Sequence, residues 1–303
     1  MPTLIDARNS NSSFNPSYVP VMVITGATAG IGQSMAEALA RHLRGRVHII
    51  IIGRNRAAAE SIIAALPKAS SESTYEFVQC DLTLMKNVHA MAKDFNSRLT
   101  KVNLLVHCAS VVGFGGRKET EEGIDEKLAS RYYARWALTN ELLPLLHAAH
   151  DQGELASVMT VLGAGLGPEI DIDDLGLKKT YKGLKAMSQS VSYNDLMVSE
   201  FASQNPEIAF THIYPGSVYT GTISNKSIIT RILVIPILPL LWLLTTPQAD
   251  CAEYMLFALL NAKKGMNRFD QKGDDIGLKK FPLAEGAQKM LWDHSLEATT
   301  IDP

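Results

Sequence analysis

Residues 21–32 read VMVITGATAGIG, an apolar run followed by a glycine-rich turn, and Gln33 to Arg44 continue with the apolar spacing of a helix. Continuous apolar character is typical of a strand that is buried on both faces of a parallel sheet. Gly26, Gly30 and Gly32 allow a tight turn and a close approach of the backbone to a ligand. The helix amino terminus also offers unpaired N–H groups to a phosphate. The stretch therefore predicts a dinucleotide-binding turn.

Further apolar runs follow and predict a parallel sheet. They cover Val47 to Ile52, Tyr75 to Cys80, Val102 to His107 and Ser157 to Leu162. Strands that alternate with helices are typical of a sheet whose two faces are both covered by helices. We predict one doubly wound α/β domain of the Rossmann type over residues 19–303, with a mainly parallel sheet, because α/β folds commonly reach this size as one domain. Later in the chain we expect a helix over Pro247 to Ala262, a last strand at Asn267 to Phe269 and a terminal helix over Leu283 to His294.

The residue that follows the second strand bears on the choice of cofactor. Arg54 comes roughly twenty residues after the glycine turn, where an NAD-binding protein places an acidic residue on the ribose hydroxyls. An arginine at this place favours the 2′-phosphate of NADP(H). The third strand ends at Asp81 and Leu82, and the fourth is followed by Cys108 and Ala109.

Several of these motifs together resemble the short-chain dehydrogenase/reductase family. Residues 25–32 are similar to its TGxxxGIG signature, and residues 215–220, PGSVYT, are similar to its PGxVxT segment near the nicotinamide. Residues 136–144 and 172–200 look closest to the retinol-dehydrogenase-like branch, and divergent fungal members of secondary-metabolite pathways are also similar. The resemblance implies that the cofactor is bound by Gly26, Thr28, Gly30, Ile31, Gly32, Arg54, Asp81, Leu82, Ala109, Pro215, Val218 and Thr220.

The residues that carry proton transfer in this family are replaced in the chain. In an ungapped register the family's asparagine falls on Arg131, its serine on Leu162 or Gly163, its tyrosine on Met187 and its lysine on Val191. In the family the tyrosine exchanges the hydroxyl proton, the lysine lowers the tyrosine pKa, and the serine positions the carbonyl oxygen. A thioether and a valine do none of this, whereas hydride delivery is chemistry of the cofactor.

Two alternatives for the missing groups stay open. Tyr181 and Lys185 form a second YxxxK pattern, and the two side chains share one helix face if the helix has already begun at Tyr181. Arg131 would lie near the nicotinamide, where a guanidinium can polarise a carbonyl or hold a carboxylate or enolate. Otherwise Arg131 lies with Arg135 and Glu126 on a solvated helix face. Arg131, Tyr181 and Lys185 are the candidate catalytic residues.

Composition limits the partners that we expect. The 303 residues carry 29 basic and 31 acidic side chains, and this formal charge of −2 gives no electrostatic case for binding nucleic acid. Three scattered cysteines indicate a reducing compartment, so we expect a cytoplasmic protein. No group of residues has the spacing of metal ligands. The family resemblance makes a homodimer or homotetramer possible through the two central helices.

Two segments have unusual composition. Residues 1–18 are rich in Ser, Asn and Pro without an apolar core, and they predict a flexible amino-terminal extension. Residues 232–244 are unbroken apolar sequence that includes two prolines, and they are too short for a membrane span of ~20 residues. We predict an apolar lid over the substrate at about residues 221–246. The alternatives are a peripheral membrane contact through residues 228–244 or a dimer contact.

These features predict an NADP(H)-dependent oxidoreductase that acts on a hydrophobic carbonyl or alcohol with a non-standard proton-transfer site. A polyketide, terpenoid or retinoid-like substrate would suit the apolar lid, with a role in secondary metabolism as one possibility. One alternative is a non-redox isomerase, dehydratase or cyclase that keeps the dinucleotide as a structural element. The other is a catalytically inactive protein that binds NADPH.

Overall fold

Seven strands form one parallel sheet in the computed structural model of the protein, which describes residues 1–218 and 245–300. The strands are β1 Val21–Thr25, β2 His48–Gly53, β3 Tyr75–Gln79, β4 Leu104–His107, β5 Ser157–Val161, β6 Ala209–Ile213 and β7 Gly265–Phe269. Their order is β3-β2-β1-β4-β5-β6-β7, and every neighbouring pair is parallel. The predicted Rossmann-type sheet is confirmed.

Helices cover both faces of this sheet, as the alternation of strands and helices predicts. They are α1 Leu4–Ser13, α2 Gly30–His42, α3 Arg56–Ala65, α4 Met85–Arg98, α5 Glu126–Leu128, α6 Ala134–Asp151, α7 Gly183–Gln204, α8 Gln248–Leu260 and α9 Ala287–Thr299. A π-helical turn, Ala129–Tyr133, joins α5 to α6. The helix, strand and terminal helix expected after residue 246 are all present, with their ends shifted by a few residues.

Alternate residues of the central strands point to opposite faces and build two separate cores. Val23 packs in the core that contains α4, α6, α7 and α9, whereas Met22 and Ile24 pack in the core that contains α2, α3 and α8. Strand β1 needs apolar side chains on both faces, because its alternate side chains are buried in two different cores. Packing on both faces fixes the position of the sheet, and a cleft lies at the carboxyl ends of its strands.

The expected flexible extension is wrong for residues 4–13, which form α1 and pack against α8. Thr3 caps the helix in a capping box with Asp6. Asn11 is buried and donates hydrogen bonds from Nδ2 to the backbone oxygen of Glu253 and to its Oε2, at 2.9 and 2.8 Å. Polar contacts rather than apolar spacing order this helix, and such contacts leave no periodic signal in the sequence.

The expected lid falls almost wholly in residues 219–244, outside the described residues. Just before and after that stretch, Val218 and Thr246 form a parallel bridge, and the Thr246 N–H donates to the Ser217 oxygen at 2.8 Å. The expected membrane contact at residues 228–244 also lies outside the described residues. Within residues 1–218 and 245–300, no helix has both the length and the apolar character that crossing a membrane requires.

Candidate active site

A cleft of about 520 Å³ opens at the carboxyl edge of the sheet. The strand order reverses between β1 and β4, and open α/β sheets bind ligands at this kind of switch point. Ten of the residues expected to bind the cofactor line the cleft: Gly26, Thr28, Gly30, Ile31, Gly32, Arg54, Asp81, Leu82, Ala109 and Pro215. Val218 is described but does not line it, and Thr220 lies outside the described residues.

The glycine turn is shaped by close backbone contacts. Gly26 has φ +69°, and a Cβ placed on it would lie 2.5 Å from the backbone nitrogen of Ala109. A Cβ on Gly32 would lie 2.8 Å from the Gly26 oxygen. Helix α2 begins at Gly30, and its N-cap residue, Ala29, provides no side-chain hydrogen bond to the first turn. Because the first residues of α2 also line the cleft, its first N–H groups are available there to an anion.

Arg54 and Asp81 lie at the β2 and β3 side of the cleft. Arg54 is exposed at the end of β2, where its guanidinium can reach a ligand in the cleft. Asp81 follows β3, and its Oδ1 accepts hydrogen bonds from the backbone N–H and the hydroxyl of Thr83, at 3.0 and 2.8 Å. These bonds fix the Asp81 carboxylate beside the cleft.

Two thiols line the same cleft without the properties of nucleophiles. Burial raises the pKa of Cys108 to about 12, with the positive charge of Arg135 opposing. Burial and the charge of Asp81 raise the pKa of Cys80 to about 12. Both side chains are therefore thiols at neutral pH, and neither is activated for attack.

The family's serine position lies at the carboxyl end of β5 and its lysine position lies on α7. In this chain neither position carries a hydroxyl or an amine group. Leu162 lines the cleft. A Cβ on Gly163 would lie 3.3 Å from the Cγ2 atom of Val191, so Val191 packs against this turn. The ungapped register thus brings the expected serine and lysine positions together in space, with apolar groups at both.

The structure does not bring Tyr181 and Lys185 together. Helix α7 begins at Gly183, after Tyr181, so the condition for a shared helix face does not hold. Lys185 Nζ instead contacts Asp171 Oδ2 at 2.8 Å, and the Tyr181 hydroxyl accepts a hydrogen bond from Lys127 Nζ at 2.9 Å. Neither Tyr181 nor Lys185 lines the cleft.

Arg131 is buried beside the cleft, so the solvated-face alternative is wrong. The residue is 8% exposed and lies in the π-helical turn, a local feature that is frequent at functional sites. Nε donates to Ser190 Oγ at 2.9 Å, Nη1 to Ser110 Oγ at 2.6 Å, and Nη2 to the Met187 oxygen at 3.3 Å. Burial lowers the pKa of Arg131 to about 10, which leaves it charged at neutral pH.

A second guanidinium, Arg135, lies one helical turn away and is 1% exposed. It donates to the Ala109 oxygen at 2.8 Å and to the Val161 oxygen at 3.2 Å. Burial and then the charge of Arg131 lower the pKa of Arg135 to about 9. From the sequence we expected Arg135 only on a solvated helix face, because the pattern of apolar and charged residues along α6 does not show which side of the helix is buried.

Ser110 was also missed by sequence reasoning. Its side chain lines the cleft, and its hydroxyl oxygen accepts the Arg131 hydrogen bond. Ser110 follows β4 in the segment where the chain departs from the family motif, so its position carried no recognisable signal.

A buried ionic network contacts the turn after β5 through a hydrogen bond between His212 and Gly163. Asp195 accepts two hydrogen bonds from Arg268, each 2.8 Å, and His212 Nδ1 lies 2.7 Å from Asp195 Oδ1. The Gly163 N–H donates to His212 Nε2 at 3.2 Å, which leaves Nδ1 as the protonated ring nitrogen. Burial lowers the pKa of His212, although Asp195 opposes this shift. The network orients the turn and does not line the cleft.

Comparison with known proteins relates the chain to dehydrogenases. The family model described as short chain dehydrogenase matches residues 20–172. Oxidoreductase AN1596 of Emericella nidulans is 33% identical over 222 residues, which cover 73% of this chain and 65% of that protein. The match thus spans less than two thirds of this fungal relative. Polyprenol dehydrogenase of Homo sapiens is 29% identical over 72% of this chain and 67% of its own length.

Solved structures share the fold at low sequence identity. A short-chain dehydrogenase from Sphingobium yanoikuyae, solved in complex with NADPH, matches with a TM-score of 0.58 and 15% identity. The match covers 92% of this chain and 94% of that one. At this identity the likeness concerns the fold alone.

Proposed function

Because the chain belongs to the short-chain dehydrogenase/reductase family, we propose that it is an NADP(H)-dependent oxidoreductase acting on a hydrophobic carbonyl or alcohol. The observation that carries this proposal is the cleft at the strand-order reversal, where the Gly26 turn packs against Ala109 and α2 presents an uncapped amino terminus. A dinucleotide needs both features, because its pyrophosphate must approach backbone N–H groups closely.

The residues present fit such a cofactor. The first turn of α2 would hold the pyrophosphate, Asp81 would lie beside the adenine, and Arg54 would contact the 2′-phosphate that distinguishes NADP(H) from NAD(H). NADP(H) supplies the hydride when it is bound. The chain's own residues orient the cofactor and the substrate in the cleft.

Exposed apolar side chains beside the cleft support a hydrophobic substrate. Val112 lines the cleft and is 63% exposed, and Phe114 in the same loop is 73% exposed. The backbone of this loop packs against Gly183 at the start of α7, beside the exposed Leu184. An apolar ligand would cover side chains that otherwise face water. A natural-product carbonyl, as in secondary metabolism, is one substrate of this kind.

The proton-transfer site would differ from that of the family. No ionisable hydrogen is available on Leu162, Gly163, Met187 or Val191. We propose that Arg131 stabilises negative charge on the substrate oxygen, since it is buried, cationic and one hydrogen bond from the cleft wall. Water would then supply the proton.

Cofactor preference tests the first half of the proposal. We expect fluorescence titration to give tighter binding of NADPH than of NADH, and we expect Arg54→Gln to remove most of this difference. Arg56→Gln is the matched control, because the Arg56 guanidinium lies over the Phe77 ring, 5.1 Å from its centroid. Equal affinity for NADPH and NADH in the unaltered protein would refute the NADP(H) preference.

Turnover tests the second half. Stopped-flow absorbance of the nicotinamide band with a panel of apolar ketones should reveal oxidation of NADPH. Tight binding of NADPH without turnover of any ketone would count against a reductase and favour the inactive NADPH-binding alternative.

A non-redox isomerase, dehydratase or cyclase is the second candidate. The apolar groups at Leu162, Met187 and Val191 favour it, because they leave the usual proton transfer of a reductase without a donor. In that case mass spectrometry would find a product of the same oxidation state as the substrate.

A further inference from the structure

Within residues 1–218 and 245–300, Arg131 and Arg135 are buried cations without an anionic partner. Among residues 1–218 and 245–300, no carboxylate forms an ion pair with either guanidinium. The stretch between those ranges, residues 219–244, contains no Asp or Glu in its sequence. Burying one charge without a counter-charge is costly, and two cations in adjacent helical turns repel each other as well. Hydroxyl and carbonyl oxygens accept their hydrogen bonds but do not neutralise the two charges, so an anion from outside the chain would stabilise this arrangement.

The cofactor's phosphates belong at the other side of the cleft. The glycine turn follows β1 and Arg54 follows β2, whereas Arg131 contacts Ser110 after β4 and Met187 on α7. The strand order places β4 and β5 on the opposite side of β1 from β2 and β3. An anion that neutralises Arg131 would therefore belong to the substrate, in the part of the cleft that is lined by Leu162 and Pro215.

Ser110 lies between the Arg131 guanidinium and the cleft. Its hydroxyl oxygen is occupied by Arg131 Nη1 at 2.6 Å, and no described residue accepts the hydroxyl proton. The side chain lines the cleft, so the proton can be donated to a ligand there. A hydroxyl whose oxygen receives a charged hydrogen bond is a stronger donor, because hydrogen bonds in a chain polarise one another.

We infer that Ser110 and Arg131 form a receptor for a delocalised oxyanion of the substrate, either a carboxylate or the enolate of a 1,3-dicarbonyl compound. Ser110 contacts the anion, and Arg131 supplies the charge behind it. Arg135 acts as a positioning residue, since it holds the Ala109 oxygen next to Ser110 in the chain. This inference rests on the proposed function and narrows its substrate to an apolar molecule with an acidic head group.

Calorimetry with defined probes tests the receptor. The probes are 4-phenylbutyrate, its neutral isostere 4-phenylbutyramide, and a cyclic 1,3-diketone that is ionised at pH 8. Each is titrated into the full chain with and without saturating NADPH. We expect the anions to bind at least about ten-fold more tightly than the amide. Comparison of the carboxylate with the diketone separates an anchoring head group from an enolate.

Variants assign the effect to the two residues. Arg131→Gln and Ser110→Ala should each remove most of the preference for anions, and Arg131→Lys should restore part of it. The double variant should lose no more than Arg131→Gln alone, because the two groups act as one unit. Arg98→Gln is the control; its exposed guanidinium binds Glu76 and Asp94 and should leave the preference unchanged.

Three results would overturn the inference. The first is equal affinity of the unaltered protein for the anions and the amide. The second is an anion preference that persists in Arg131→Gln. The third is displacement of the anions by NADPH, which would assign the charge to the cofactor. NADPH binding is measured separately, so an absent anion preference with intact NADPH binding defeats the receptor while leaving the proposed function standing.

Discussion

Gly26 leaves less room for a side chain than Gly32, another glycine that lines the cleft. Its positive φ would strain a side chain, and a Cβ placed on it would overlap the Ala109 backbone nitrogen at 2.5 Å, so two separate reasons exclude a side chain. Gly153 has a similar φ of +73° but has no atom within 4 Å of a built Cβ. An alanine at Gly153 would therefore test conformational strain alone, whereas an alanine at Gly26 would test strain together with steric overlap.

We expect Gly153→Ala to cost about 1–2 kcal/mol in the free energy of unfolding, the cost of a left-handed conformation. Gly26→Ala should cost more and should also weaken NADPH binding by at least about ten-fold. Urea unfolding and fluorescence titration measure the two effects. Similar values for both variants in both assays would mean that the turn does not bind the cofactor.

Cys108 gives a second prediction at the scale of a residue. It lines the cleft, yet burial raises its pKa to about 12. Only the thiolate reacts with iodoacetamide, so we expect slow alkylation of Cys108 at pH 8, far slower than that of a free cysteine with a pKa of about 8.5. Peptide mass spectrometry after timed alkylation measures the rate. Rapid labelling at Cys108 would contradict the raised pKa.

For individual residues, the sequence identified candidate site residues better than it identified the side chains that contact them. Arg131 was placed beside the nicotinamide by matching along the chain, whereas its contacts with Ser110 and Ser190 join separate elements. The pairing of Tyr181 with Lys127 was missed for the same reason. Contacts between distant segments depend on tertiary packing, which local spacing does not record.

At the scale of elements, α1, α2 and α8 are joined through one buried carboxylate. Glu253 on α8 accepts hydrogen bonds from Asn11 of α1 and from Arg41 of α2, and His42 Nε2 lies 2.9 Å from it. Helix α1 was not predicted because its contacts to α8 span 242 residues of sequence. Strand β1 was predicted closely, since its buried apolar run determines its structure locally.

This junction predicts sensitivity to acid. Burial would raise the pKa of Glu253, but Asn11, His42 and Arg41 hold it below its ordinary value. A carboxyl whose pKa is lower in the folded state stabilises the fold above its unfolded pKa of about 4.3, and this contribution is lost as the pH falls through the folded pKa. Urea unfolding from pH 6 to pH 3 should therefore show a falling free energy, with a shallower fall in Glu253→Gln.

Glu72→Gln is the control for this prediction, because Glu72 is exposed and forms no ion pair within the described part of the chain. We expect this variant to follow the pH dependence of the unaltered protein. If Glu253→Gln has the same dependence as well, the α1 junction is not the source of the acid sensitivity.

At the scale of the whole molecule, the terminal helix α9 closes the face formed by α6 and α7. Its Trp292 ring packs edge-on against Trp136 of α6 and Phe201 of α7, with centroid distances of 5.1 and 4.9 Å. Tyr132 and Ser295 share a buried hydrogen bond of 2.6 Å at the same interface. The predicted dimer or tetramer through the central helices stays a prediction, and α9 occupies part of the surface that it would use.

We expect Trp292→Ala to lower the free energy of unfolding by about 2–4 kcal/mol, since it removes an aromatic side chain from three packed rings. Met290→Ala on the same helix is the matched control; Met290 is 43% exposed and should cost less than about 0.5 kcal/mol. Urea unfolding of both variants measures the difference. Equal stabilities would mean that α9 contributes little to the fold.

We propose that this chain transfers a hydride from NADPH while the buried Arg131 stabilises negative charge on the substrate oxygen and water supplies the proton. The decisive measurement is single-turnover transfer of deuterium from 4-deuterated NADPH to an apolar ketone or 1,3-diketone. We predict label on the reduced carbon, a rate lower by about a hundred-fold or more in Arg131→Gln, and an unchanged rate in Tyr181→Phe. Unlabelled product of the same oxidation state, or an unchanged rate in Arg131→Gln, would contradict the claim.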